Sequence, residues 1–263
     1  MHLRPLAVAA VVFGLASTAV PAAATDLAAH HAVYDLHMEA SKGGDVQAAT
    51  GTMTYDVQDA CDGWAVRQRL HMTVTNRDGQ DIDMLSDYTT WESKDGLRLR
   101  FRTRQVTDQA VTSDIAGEAS LQKTGGTGSA HYTTPEDRTA KLPAGTLFPM
   151  KHTEALLAAA EAARKVLAIP LFDGTSATGA QDSSIVVTKW GGLPPSKWPG
   201  LAKLQSGRFH IAFFDRGPAN IEPDYEVSLR YWTNGVADDL HMDFGDFVMT
   251  GMLKEFKLIP RGC

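Results

Sequence analysis

Four arginines, Arg98, Arg100, Arg102 and Arg104, recur at every second position, interleaved with Leu97, Leu99 and Phe101. On a strand that spacing puts four guanidiniums on one face. A guanidinium is planar, permanently charged and able to grip carboxylate or phosphate through paired hydrogen bonds, so this face could recognise the anionic groups of a glycolipid or polymer. Arg67 and Arg69 extend the stripe if their strand lies alongside. The competing reading is internal compensation. An Asp95-Gly96 hairpin turn sets Asp87 opposite Arg104 and Trp91 opposite Arg100. Asp87 then neutralises Arg104, and Arg100 stacks on Trp91. Charged strand faces also protect against edge aggregation, and the internal reading is preferred.

Other reactive residue types are scattered. His30, His31 and His37 cluster around Asp35, and on a strand His31, Asp35 and His37 share a face that loosely suits zinc. No H-E-x-x-H occurs, and a polar strand face explains the cluster more simply. Asp238, Asp239, Asp243 and Asp246 lack the spacing, central glycine and flanking helices of an EF-hand loop, so they read as turn and cross-strand residues. There is no G-x-S-x-G, and Gly125-Gly126-Thr127-Gly128 has no strand–helix context for phosphate. A dispersed Ser–His–Asp triad would meet only in space. No catalytic residue, cofactor or metal ligand is therefore assigned.

The elements that must position these residues are mostly strands. Trp64, Val66, Gln68, Leu70, Met72 and Val74 alternate with Ala65, Arg67, Arg69, His71, Thr73 and Thr75. Tyr34–Met38 and Gly51–Val57 alternate likewise. Further strands fit near 82–91, 97–104, 107–123, 129–133, 166–172, 183–190, 206–214, 224–233, 236–244 and 246–258. Asn234-Gly235 is a two-residue hairpin signal that pairs Leu229 with Leu240, Val227 with Met242 and Tyr225 with Phe244 on one face, and Arg230 with Asp239 on the other. Gly245-Asp246 makes the next turn, pairing Phe244 with Phe247 and Met242 with Met249.

One helix is expected at about 153–165, capped by Thr153, with Glu154 at its positive end and Arg164 and Lys165 at its negative end. Its weak apolar stripe packs on the sheet and plugs one opening. So many short strands predict an all-β fold with one or two short helices, a long antiparallel sheet wound as a spiral or open barrel. Met38, Met53, Met72, Met84, Met242, Met249 and Met252 lie on strands and could line an adaptable interior.

The chain's start gives its address. His2 and Arg4 precede an apolar run over Leu6–Leu15, then small residues ending in Ala22-Ala23-Ala24. This is a secretory signal peptide over 1–24 cleaved between Ala24 and Thr25, followed by a single periplasmic domain over 25–263. At roughly 15 apolar residues it is short for a membrane span, which needs about 20. No later segment is long and apolar enough to span as a helix. The chain has 263 residues and a net charge of −6, so a nucleic-acid footprint is unsupported. Its two cysteines, Cys61 and Cys263, favour a bridge in an oxidising compartment. The alternative, a free reactive thiol, has no C-x-x-C behind it.

Three stretches carry a family resemblance: Ala29-His30-His31-Ala32-Val33-Tyr34-Asp35-Leu36; Leu142-Pro143-Ala144-Gly145-Thr146-Leu147-Phe148-Pro149 leading into His152-Thr153; and Asn234–Leu240 with Asp243–Phe247 and the terminal Cys263. In order and over nearly the whole mature chain they resemble the EipB family of alphaproteobacterial cell-envelope-integrity proteins. The resemblance implies a periplasmic protein, a spiral antiparallel sheet with an associated helix, a disulfide between Cys61 and Cys263, and a role in envelope stability without an established activity or ligand. The expectation is a non-enzymatic factor for envelope integrity and stress resistance that binds a lipid, a lipoprotein or an envelope protein. The alternative is a periplasmic hydrolase or transferase acting on envelope polymers. A buried nucleophile–base pair in a polar cleft would mark the enzyme, and an apolar cavity without one the binding protein.

Overall fold

The computed structural model describes residues 26–43, 45–216, 222–260 and 262–263. The signal peptide expected over 1–24, with its Ala24–Thr25 cleavage point, lies outside the described residues. The first half of the chain forms β1 (His30–Ser41), β2 (Val46–Asp59), β3 (Gly63–Asn76), β4 (Asp81–Ser93), β5 (Arg98–Thr107), β6 (Ala110–Leu121), β7 (Gly128–Thr134) and β8 (Arg138–Leu142). Helix α1 (Pro149–Glu161) follows. Then come β9 (Val166–Leu171), β10 (Gln181–Trp190), β11 (Ser206–Phe214), β12 (Tyr225–Trp232), β13 (Ala237–Asp243) and β14 (Phe247–Leu258).

Among the described residues these strands make one 14-stranded antiparallel sheet, ordered β8-β7-β6-β5-β4-β3-β2-β1-β14-β13-β12-β11-β10-β9. The chain starts in the middle of this strip. Successive hairpins add strands outward to β8, α1 carries the chain to the far edge at β9, and the remaining strands return until β14 pairs with β1. Close packing marks the middle of the strip. Leu36 of β1 faces Gly51 on one side and Gly251 on the other. A Cβ on Gly51 would stand 2.3 Å from the His71 carbonyl, and one on Gly251 3.0 Å from Leu36. At Gly51 the obstacle is backbone, so only glycine permits that approach, whereas at Gly251 the neighbouring leucine side chains would have to give way.

The two edge strands do not pair with each other, so the strip is wound but open. Other contacts span the gap. Leu147 makes a single parallel bridge to Leu171. The loop over 172–180 is tied to the inward face of the first half by three side chains. Tyr88 Oη donates to the Asp173 carbonyl at 2.8 Å, Tyr132 Oη to Ser176 at 3.1 Å and Thr103 Oγ1 to Gly174 at 3.4 Å. Beneath that loop Phe101 meets Tyr132 and Phe172 edge-to-face, with centroids 5.6 and 5.3 Å apart. This smaller core holds β5–β8. The larger core lies between β1–β3, α1 and β10–β14.

Several expectations are corrected here. The helix starts at Pro149 and ends at Glu161. Pro149 suits the first helical turn, where its missing N–H costs nothing, and it holds Phe148 extended. Thr153 is therefore inside the helix and donates to the Pro149 carbonyl at 3.1 Å instead of capping. Arg164 and Lys165 lie beyond the helix, past Ala163 at φ 57°. β8 is an additional strand: its five residues Arg138–Leu142 hold only two apolar positions, Ala140 and Leu142, too short an alternation to mark a strand in the sequence. The strand expected over 107–123 begins only at Ala110, after a turn with Asp108 and Gln109 at φ 49° and 68°. On the β12–β13 hairpin Val227 pairs with Met242 as read, but Arg230 lies opposite Asp238 and not Asp239. A bulge with Asp239 at φ 52° shifts the register there. Among the described residues no helix is long and apolar enough to cross a membrane.

Candidate functional site

The inward faces of β1–β5, β12 and β13 line a half-open cavity of about 500 Å³, a size suited to a small ligand or an acyl segment. Its far wall is apolar, built by Val227, Leu229, Leu240, Met242 and Phe244. Met53 and Leu70 face it from β2 and β3. Met150 and Thr153 of α1 close part of the space, as do Leu27 and Ala28 just before β1. The helix therefore does plug the sheet. Of the methionines expected to line the interior, Met53 and Met242 do so. Met72 and Met249 are packed in the core, and Met84 and Met252 are 38% and 54% exposed.

The near wall is polar but uncharged. Gln68 lies opposite Tyr88, which lies opposite Thr103; Leu70 lies opposite Ser86, which lies opposite Gln105. Five tyrosines face the cavity: Tyr34, Tyr55, Tyr88, Tyr225 and Tyr231. Tyr34 Oη donates to the Ala237 carbonyl at 2.8 Å. Burial pushes all five phenols up, so they stay protonated donors. Asp173 also lines the space, and burial raises its carboxyl while bonds from Thr175 hold it down. His30 is the other ionisable lining group. Burial lowers its ring, and Nδ1 lies 2.7 Å from the Ala28 carbonyl.

The plug is held by a residue from a distant strand. Glu92 of β4 is 1% exposed and accepts from the backbone N–H groups of Met150 at 2.7 Å and Lys151 at 3.0 Å. These are free donors of the helix's first turn, so a carboxylate suits them. Burial nevertheless drives the Glu92 carboxyl up to about 7, against those two bonds. The next residue, His152, is buried against Ser183, with Nε2 and Oγ 2.8 Å apart, and burial lowers the ring to about 4. This is a serine–histidine pair with the wrong polarity for nucleophilic catalysis. Ser183 Oγ donates its hydrogen to the Ile169 carbonyl at 2.6 Å, so the histidine must donate to the serine and is not its base. Neither residue lines the cavity.

The arginine stripe faces outward on the other side of the same strands. Asp87 does lie opposite Arg104, but its carboxylate bonds to Arg69 at 3.1 and 3.2 Å and to Arg67 at 3.2 Å. Arg104 is held instead, with Arg102, by Asp114 on β6, at 3.3 and 2.8 Å. Asp87 has an arginine-bearing strand on each side, β3 and β5, and the Asp95-Gly96 turn specifies only the register with β5. The guanidiniums of Arg100 and Arg98 lie 5.3 and 5.8 Å from the Trp91 ring. On the same outer surface His31 bonds Asp56 at 2.6 Å. Among the described residues no three His, Cys, Asp or Glu side chains converge as metal ligands. Cys61 and Cys263 are bonded to each other, with Cα atoms 5.7 Å apart, and tie the chain's end to the β2–β3 turn.

Sequence reasoning missed Glu92 and the polar wall. Gln68 carried a signal, as the one polar side chain in the apolar series of β3. Glu92 carried none, since its partners are 58 and 59 residues away.

Comparisons with known proteins agree with this architecture. A family model described as EipB-like matches residues 21–260. The chain is 30% identical over 257 residues to the cell envelope integrity protein EipB of Brucella abortus (strain 2308), covering 95% of this chain and 90% of that protein. It also superposes on the crystal structure of a beta-barrel-like protein of a domain of unknown function from Brucella abortus. The TM-score there is 0.80 at 29% identity, over 89% of this chain and 99% of that one. With a family model spanning nearly the whole described chain and a relative that shares its wound sheet, this chain belongs to the EipB-like family.

Proposed function

We propose that this chain is a non-enzymatic periplasmic factor that supports cell-envelope integrity by holding the apolar part of a lipid, or of a lipid-bearing envelope partner, inside its wound sheet. The observation that carries this reading is the cavity itself: about 500 Å³, with an apolar wall, an uncharged polar wall and a helical plug. The signal-peptide pattern over 1–24 supports export, with residues 25–263 acting as one unit. The Cys61–Cys263 pair fits an oxidising compartment. The name of the Brucella relative supports the envelope role. The polarity of the His152–Ser183 bond speaks against an acyl-transfer enzyme. The arginine stripe acts in this reading as an internally paired outer surface.

Native mass spectrometry of protein taken from the periplasm, with lipid extraction of the same sample, tests the proposal. The expected result is an adduct of lipid mass that a Leu70→Trp variant, with its cavity filled, fails to retain. A clean apo mass from freshly isolated protein, together with no lipid in the extract, contradicts it.

A further inference from the structure

The cavity's two walls differ in a way that bears on the ligand's head group. Gln68, Ser86 and Gln105 stand on three adjacent strands with their side chains on the inward face. No hydrogen bond joins any of these side chains to another described residue. Each can both donate and accept, so the wall offers unspent hydrogen-bonding capacity of neutral type. Tyr88 and Thr103 between them are already committed to the 172–180 loop.

Among the described residues the lining contains no lysine or arginine. Its two ionisable groups besides tyrosines are Asp173 and His30, and the histidine's ring is tied through Nδ1 to the Ala28 carbonyl. The strands that carry the neutral wall also carry Arg67, Arg69, Arg102 and Arg104, but those side chains alternate to the opposite face and are engaged by Asp87 and Asp114. Gln68 and Ser86 are partly buried and Gln105 is exposed, so the wall lies toward the mouth of the cavity. A phosphate or carboxylate seated there would give up part of its water, meet no cation in the lining and share the space with Asp173. A head bearing hydroxyl or amide groups would exchange water for Gln68, Ser86 and Gln105 at little cost.

We infer that the cavity selects an amphiphile with an uncharged, hydroxyl- or amide-rich head, of the kind a neutral glycolipid carries, and discriminates against phosphate and carboxylate heads. This rests on the lipid-holding role proposed above. The neutral wall fixes the polarity of binding: the acyl segment lies against Val227, Leu229, Leu240 and Met242, and the head against β3–β5.

The test displaces N-phenyl-1-naphthylamine from the purified disulfide-bonded protein with two probes that share a twelve-carbon chain, dodecyl maltoside and dodecyl phosphate, both below their micelle concentrations. The expected result is fluorophore binding by the wild type, with the maltoside displacing at a concentration about tenfold lower than the phosphate, the ratio one or two hydrogen bonds supply. A Gln68→Leu, Ser86→Ala, Gln105→Leu variant should still bind the fluorophore and lose the preference. If the phosphate displaces as well as the maltoside, or the triple variant keeps the preference, the inference is overturned while the lipid-holding role stands. If the wild type binds no fluorophore, the role falls and the inference with it.

Discussion

Acidification acts on two buried groups at the start of α1 in opposite directions. The Glu92 carboxyl moves from an ordinary 4.5 to about 7 on folding. Between those values the folded protein keeps a proton that the unfolded chain has lost. Its contribution to stability is complete below pH 4.5 and is lost as pH rises through 7. The His152 ring moves from 6.5 to about 4. Between those values the unfolded chain binds a proton that the folded ring refuses, so this contribution is complete above pH 6.5 and is lost as pH falls to 4. Each shift corresponds to about 3 kcal/mol, and from pH 6.5 to 4.5 the two nearly cancel. Glu92→Gln removes one side of this balance. Its amide changes the helix contacts by a constant amount, but it does not titrate. Relative to wild type the variant should lose about 3 kcal/mol between pH 7 and 4.5, or about 6–12 °C in Tm for a domain of this size. His152→Gln should do the reverse and gain a similar amount relative to wild type as pH falls from 6.5 to 4. Urea unfolding followed by tryptophan fluorescence at pH 4.5, 5.5, 6.5 and 7.5 measures both differences, and the remaining carboxylates cancel in the comparison. If the Glu92→Gln variant tracks wild type across this range, Glu92 is not the buried, proton-retaining anchor described here.

Three further outcomes are expected. Cys61→Ser opens a bridge spanning 202 residues, for which chain entropy allows roughly 5 kcal/mol and engineered bridges return about 2–4, so Tm should fall by several degrees; equal Tm under oxidising conditions contradicts the bridge. Gly51→Val puts a side chain where a Cβ already lies 2.3 Å from the His71 carbonyl, so it should cost about 3 kcal/mol or abolish folding, measured by circular dichroism and denaturant midpoint. Arg98→Glu with Arg102→Glu reverses two charges of the outer stripe and takes from the largely buried Asp114 one of its two arginines, so it should lower stability by about 1–2 kcal/mol while leaving N-phenyl-1-naphthylamine binding unchanged; a loss of envelope function in this variant, once shown to be folded, would assign the stripe a binding role of its own.

Local patterns carried most of this fold. The two-residue alternation of β3 and β5 set which side chains face inward, and Asn234-Gly235 set the pairing of Val227 with Met242. The arginines' outward direction followed from the same alternation, but their partners did not. Asp114 reaches Arg102 and Arg104 from β6, and the β5–β6 turn at Asp108-Gln109 lacks the glycine that marks such turns. The helix start was displaced because Thr153 has the chemistry of a cap, whereas the group that caps α1 is Glu92 on β4. The cavity was legible only as a possibility. Whether inward methionines fill a sheet or line a space depends on how tightly it winds, and that rests on long-range contacts such as the bonds from Tyr88 and Tyr132 to the 172–180 loop, which local alternation does not encode.

The direct measurement is survival under envelope stress of a strain lacking this chain, complemented with wild type or with Leu70→Trp shown to be exported, folded and disulfide-bonded. If the cavity does the work, the wild type restores resistance to membrane-active stress and the filled variant does not. Full rescue by the filled variant would separate the envelope role from the cavity and contradict the binding mechanism.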